Sequence, residues 1–251
     1  MDIVKIYTIA HKEVPYNIPD DKHIYEAIQV GDNKKFLDKT DNDNTPNWHV
    51  WNPVMAENTA GLYIAKYYAQ DFKYVGQQQY RRHLGFRPES EEEVEEIFKK
   101  YDIVASYPLR MTNSVEEQYK RCHSRIDLDI IGDILPTEQK DMWERTRKGN
   151  ILFYSNGFLM SSEDYIEYYK WLEAVFVAYL RERGLNTPEE ALKVFRSDIK
   201  RNDRKNTRGL KYQSQVLGFI SERLYTMWVM NKYETDRVAI FPYKKMEDIP
   251  I

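Results

Sequence analysis

Tyr74-Val75-Gly76-Gln77-Gln78-Gln79-Tyr80-Arg81-Arg82-His83 sets the reading of the whole chain. An apolar run (Phe72, Tyr74, Val75) passes through Gly76 into three glutamines and a Tyr-Arg-Arg-His cluster. That is the pattern of a buried strand that delivers a site at its C-terminal edge, where open α/β sheets hold their ligands. Two adjacent guanidinium groups offer bidentate forks suited to an oxyanion such as phosphate. A strand ending in a solvated basic turn would read the same way, so these ten residues leave both alternatives open.

Upstream, Ile3 to Ala10 is short, apolar and β-branched and reads as a buried first strand running into His11-Lys12. Residues 13–53 are irregular, broken by Pro15, Pro19, Pro46 and Pro53, with one short strand from Tyr25 to Gly31. Asp41-Asn42-Asp43-Asn44 reads as a solvated turn; its Asp-x-Asp pair suits a divalent cation only on a rigid mount. Pro53 to Gln70 is expected to be one helix with Pro53 at its first position.

Downstream, Ser90 caps an acidic helix, and Tyr101 to Ala105 forms a strand. Ser114 to His123 and Thr137 to Gly149 read as helices, with Asp127, Asp129 and Asp133 between them. Ile151 to Met160 reads as one strand interrupted at Ser155-Asn156-Gly157, a bulge or a close approach to a ligand. Ser161 caps a long aromatic helix from Ser162 to Arg183, stopped by Gly184. Lys200 to Arg208 is a basic loop, Ser214 to Asn231 a final helix, and Arg237 to Phe241 a last strand. Strands alternating with helices predict an α/β fold: a mixed, largely parallel sheet flanked by helices, with a helical C-terminal part, in a single domain over residues 1–251. No Gly-x-Gly-x-x-Gly, Walker loop or Gly-x-Ser-x-Gly elbow follows a strand.

Composition narrows the function. With 42% hydrophobic and 31% charged residues the chain is that of a soluble globular protein. A net charge of −3 argues against a general nucleic-acid binder. Cys122 is the only cysteine, which excludes an intrachain disulfide and a cysteine-based zinc site and fits a cytoplasmic protein. No signal peptide and no apolar run of ~18 residues is present. Twenty tyrosines and five tryptophans offer either stacking surface for a sugar or nucleotide or an aromatic-rich core.

Taken together, the landmarks resemble a domain-of-unknown-function family common in bacterial capsule and exopolysaccharide gene clusters, whose members are classed as glycosyltransferases, some of them galactofuranosyltransferases. The likeness rests on Ala10-His11-Lys12, Gln29-Val30-Gly31, Glu57 with Asn58-Thr59-Ala60-Gly61-Leu62-Tyr63-Ile64-Ala65, and the hallmark Tyr-x-Gly-x-x-His-Tyr-Arg-Arg at residues 74–82. It continues through Gln118-Tyr119, His123, Asp127-Leu128, the Asn-Gly strand, Tyr168 with Trp171-Leu172, and Gly218-Phe219-Ile220-Ser221-Glu222-Arg223-Leu224. The chain departs from the family pattern at Gln79, where the hallmark has histidine, at Asn58, and at Ile64. His83, four residues on, is the candidate to compensate.

The resemblance implies a GT-A-like transferase that takes a sugar from a nucleotide donor, UDP by expectation, to a glycan or lipid-linked acceptor. Donor contacts are expected from His11, Lys12, Gln29, Gly31, Gln79, Tyr80, Arg81, Arg82, His83, His123, Asn156 and Gly157. Where such enzymes usually carry an Asp-x-Asp metal pair, this chain has Gln-Tyr-Arg-Arg, so the arginines are expected to neutralise the diphosphate with no metal or other cofactor. Asp41 with Asp43, or Asp127 with Asp129, are the acidic alternatives for a divalent ion such as manganese. Glu222, ahead of Asp127, is expected to be the general base. Peripheral docking at the inner membrane face through Lys200 to Arg208 is a further expectation. The competing readings are a non-catalytic nucleotide- or sugar-binding module with a decayed site and a phosphate-handling hydrolase.

Overall fold

Strand β1 (Asp2–Ala10) is buried without a break from Val4 to Ala10. A continuous run of this kind needs cover on both faces of the sheet. The one lysine in it, Lys5, is tolerated because its ammonium donates to the Lys22 and His23 carbonyls at 2.8 and 2.6 Å. These positions come from a computed structural model that describes residues 2–14, 17–31, 34–44, 48–199 and 209–245. Pro15, Pro46 and the Lys200–Arg208 docking loop lie outside the described residues.

After β1 come β2 (Tyr25–Gln29), β3 (Lys39–Thr40), α1 (Asn52–Met55), α2 (Asn58–Tyr67), β4 (Phe72–Gln79) and β5 (Arg82–His83). The middle of the chain holds α3 (Glu91–Phe98), β6 (Ile103–Ser106), β7 (Leu109–Arg110), α4 (Val115–Tyr119), α5 (Arg125–Ile134) and α6 (Thr137–Lys148). Then follow β8 (Ile151–Leu152), β9 (Phe158–Ser161), α7 (Ser162–Glu182), α8 (Pro188–Asp198), α9 (Gly209–Gln213), α10 (Val216–Lys232), β10 (Val238–Phe241) and β11 (Lys244–Lys245). The main sheet runs β10-β6-β9-β4-β1-β2-β3. Along that order the pairings are parallel except where β9 runs against β4 and β6, and β5 adds antiparallel pairs with β4 and β11 off the path. The expected mixed, largely parallel sheet with flanking helices is the fold observed.

The parallel register brings three strand ends together. Ile9 lies beside Gln79, and Ala10 beside Gln29. His11, Gly31 and Tyr80-Arg81 therefore leave the sheet side by side at one edge. Gly76 lets β9 approach closely, since a Cβ there would sit 2.9 Å from the Phe158 carbonyl oxygen.

The main core lies between the sheet and α2, α7 and α10. Phe158 is its hub, with the rings of Tyr165, Tyr168, Tyr169 and Tyr225 at centroid distances of 5.8, 5.9, 6.5 and 4.9 Å. Truncating Phe158 to Ala would cost about 3–5 kcal/mol. A second cluster on the opposite face packs Val94 of α3 against Val4, Ile6 and Leu159. Eight of the twenty tyrosines are core residues at most 1% exposed: Tyr7, Tyr63, Tyr119, Tyr165, Tyr168, Tyr169, Tyr179 and Tyr225.

Four expectations change. The helix expected over 53–70 is two helices, because Ala56 takes a left-handed φ of 53° and ends α1. The helix expected over 114–123 is the short, box-capped α4, and Asp127 and Asp129 sit on α5. The expected strand over 151–160 is two strands in two sheets: β8 pairs with β7, and β9 enters the main sheet. Ser155 and Asn156, with φ of 70° and 44°, turn the corner between them. Finally, α8 is an additional helix, opened by Thr187 in a capping box with Glu190 and by Pro188.

Candidate functional site

A cleft of about 610 Å³ opens at the C-terminal ends of β1 and β4. The strand-end wall carries His11, Gly31, Gln79, Tyr80, Arg81 and Arg82; the helical wall carries Arg196 of α8, Lys211 and Tyr212 of α9, and Gln215, Phe219 and Glu222 at and within α10, and Ser155 bridges Arg82 to Glu222. Asn52, Ala56 and Glu57, at the α1–α2 break, also line it. Gly31 is required in its place: its φ is 81°, and a Cβ would lie 2.8 Å from Asn52 Oδ1.

The walls are cationic. The Arg81 guanidinium lies 5.3 Å from the Tyr80 ring centroid, and its buried Nε has no hydrogen-bond partner. Arg82 Nη1 donates to Ser155 Oγ at 2.9 Å, and its guanidinium sits 5.5 Å from the Tyr154 ring centroid. Arg81, Arg82, Arg196 and Lys211 enter no ion pair among the described residues. His11 packs edge-on against Tyr80. Burial, with Arg81, Lys12 and Lys211 nearby, lowers its pKa to about 4, so its imidazole is neutral.

Two carboxylates sit among these cations. Glu222 Oε1 accepts from the Ser155 amide at 2.9 Å, and Oε2 pairs with Arg223 Nη1 at 3.2 Å. Glu57 Oε1 accepts from Gln79 Nε2 at 2.9 Å and from Asn156 Nδ2 at 3.2 Å. Burial raises the Glu57 pKa; its own backbone amide lowers it, and the Glu222 charge adds to the rise. Behind them, Ser221 Oγ accepts from Asn156 Nδ2 and Asn58 Nδ2. Gln77 Nε2 donates to the Asn156 carbonyl, while Tyr165 and Tyr169 donate to Gln77 Oε1.

Of the residues singled out in the sequence, His11, Gly31, Gln79, Tyr80, Arg81, Arg82 and Glu222 meet in the cleft. Asn156 stands one step back, as the donor to Glu57. Lys12 is exposed beside His11 and does not line the cleft. The Gln29 side chain accepts from the Phe36 and Leu37 amides and so shapes the following loop. Gly157 packs on Ser106 and Tyr243. His83 is fully buried on the β5–β11 pair, where burial first and then Arg87 lower its pKa to about 4; it does not reach the cleft. His123 is buried between Tyr119 and Phe219, its Nε2 3.0 Å from the Gln213 carbonyl oxygen.

Asp127 is corrected by its surroundings. It is buried on α5 and accepts hydrogen bonds from Tyr119 Oη at 2.8 Å and Tyr179 Oη at 2.6 Å, away from the cleft. Asp129 pairs with Arg125 and Arg147. Asp41 accepts from Thr59 Oγ1, and Asp43 holds the Thr40 amide and hydroxyl. Among the described residues no group of three or more His, Cys, Asp or Glu side chains is arranged to hold a metal ion. The sequence reading missed Glu57, Arg196, Lys211 and Gln215 as site residues; the Thr187-x-x-Glu190 box was the one local signal for the helix that carries Arg196.

This α/β fold has a counterpart among solved structures. A solved structure described as the WbbM bifunctional glycosyltransferase in its apo form superposes with a TM-score of 0.67 over 97% of this chain, at 21% sequence identity. The chain spans 45% of that protein. The chain belongs to the family described as Domain of unknown function (DUF4422), whose model matches residues 5–190. No curated protein sequence matches it. The family match holds His11, Glu57, Arg81 and Arg82; Arg196, Lys211 and Glu222 lie beyond it.

Proposed function

We propose that the chain, acting as one domain, transfers a sugar from a nucleotide donor, UDP-linked, to a capsule, exopolysaccharide or O-antigen acceptor, with a galactofuranosyl donor the first to test. The observation that carries this reading is the cleft itself: Arg81 and Arg82 face Arg196 and Lys211 around two carboxylates, at the sheet edge where α/β folds bind nucleotides. Four cations that enter no ion pair among the described residues suit a diphosphate. Arginine forks neutralise the charge that builds on the leaving group, which is catalysis by electrostatic preorganisation and asks nothing of a metal. Tyr80 and Tyr212 supply ring faces for a base or sugar. The acceptor hydroxyl enters beside Glu57 and Glu222, where a carboxylate receives its proton. With a lipid-linked acceptor, the protein works at the inner face of the membrane; no helix among its described residues is long and apolar enough to cross one.

Calorimetric titration with UDP tests the reading. Arg81→Ala and Arg82→Ala are each expected to weaken binding about tenfold or more. Unchanged affinity in both removes the diphosphate role. Release of UDP from sugar nucleotides separates a transferase from a binding module. Turnover is expected to survive EDTA, and loss that manganese restores would overturn the metal-independent part.

A further inference from the structure

We infer that Glu57 is the catalytic residue that takes the proton from the acceptor hydroxyl, and that Glu222 is a positioning residue beside it. The inference rests on the nucleotide-sugar reading and assigns a role within the same site. The two acids line one cleft but are held differently. Both oxygens of Glu222 are engaged, one by the Ser155 amide and one by the Arg223 guanidinium. With both oxygens taken up by these partners, Glu222 offers no open position to an acceptor hydroxyl.

Glu57 has the opposite arrangement. Its two side-chain partners, Gln79 and Asn156, are neutral amides, and both donate to Oε1. No side-chain donor among the described residues bonds to Oε2. The side-chain anchors thus hold one oxygen, and no described side chain competes with a substrate for the other. Among the described residues no cation pairs with Glu57, and burial, which outweighs the lowering by its own amide, Gln79 and Asn156, raises its affinity for a proton. The titratable or charged groups facing it are Glu222 on α10, Tyr168 and Tyr169 on α7, and Arg82 on β5, the last through Gln79.

In the step this supports, the acceptor oxygen bonds to the anomeric carbon while the bond from that carbon to the diphosphate oxygen breaks. The electron pair of the broken bond stays on the diphosphate, facing the arginines. The hydroxyl proton passes to Glu57 Oε2 and later to solvent. The stereochemical result is inversion.

The test uses the full chain, UDP binding by calorimetry, and UDP release from a panel of UDP-galactose, UDP-galactofuranose and UDP-glucose. Glu57→Gln is expected to bind UDP within about threefold of wild type and to lose turnover about 10²–10⁴-fold, the usual contribution of a general base. Glu222→Gln is expected to lose only about tenfold and to move the acid limb of the kcat profile to lower pH, because a like charge beside the base is gone. If Glu57→Gln fails to fold, Glu57→Asp replaces it, with a partial loss and a retained acid limb expected. Turnover that survives in the Glu57 variants, or an acid limb that Glu222→Gln leaves in place, overturns the assignment alone. Wild-type protein that neither binds UDP nor turns over the panel overturns the nucleotide-sugar reading, and the assignment with it.

Discussion

Asp127 and Glu57 are both carboxylates whose pKa burial raises, and they sit in opposite kinds of site. Asp127 is closed on all sides: Tyr119 and Tyr179 each donate a phenol hydroxyl to a different oxygen, joining α4, α5 and α7. Glu57 is anchored through one oxygen and lines an open cleft. A raised proton affinity is therefore no sign of chemistry by itself. A free oxygen beside a space for substrate distinguishes the two, and no spacing in the chain reports it.

The largest expected effect is on the closed site. Asp127→Ala leaves two buried phenol hydroxyls without acceptors and should cost about 3 kcal/mol in urea unfolding. UDP affinity of the folded variant should match wild type; a tenfold loss would join the two sites and break the contrast. Next comes Ser221→Ala, which removes one of the two acceptors of each of the Asn58 and Asn156 amides. A loss of about 1–2 kcal/mol is expected in the same measurement, with slower UDP release because Asn156 is less firmly fixed beside Glu57. The smallest effect has the opposite sign. The folded-state pKa of Glu57 lies above its unfolded value, so ionising it opposes folding at neutral pH. That opposition disappears once the pH falls below the ordinary carboxylate range. Glu57→Gln should therefore be more stable than wild type at pH 7.5, by on the order of 0.5 kcal/mol, and should lose that advantage in thermal melts near pH 4.

Much of the frame was legible in the chain. β1, β2, β4 and β6 announce themselves as short apolar runs, and Ser90, Ser114 and Ser161 cap helices as their side chains suggest. One wall of the cleft was legible for the same reason: Arg81 and Arg82 follow a strand directly. Of the other wall only Glu222 was legible, because Arg196 and Lys211 reach the site only through the packing of α8 and α9. Glu57 was quoted as part of a helix and gained its place from the break at Ala56, which no helix-breaking residue type marks. Ile151 to Met160 misled because an apolar run looks alike whether it stays in one sheet or passes between two.

The turn at Ser155-Asn156 does more than join β8 to β9. Its Ser155 amide holds Glu222, its Ser155 hydroxyl holds Arg82, and its Asn156 side chain holds Glu57. Two residues thus act as a ruler between the proposed proton acceptor and the cation proposed to steady the departing phosphate. A change in this turn would move both ends together. On the proposed reading, room for a larger or smaller sugar comes from α8 and α9, which hold neither Ser155 nor Asn156.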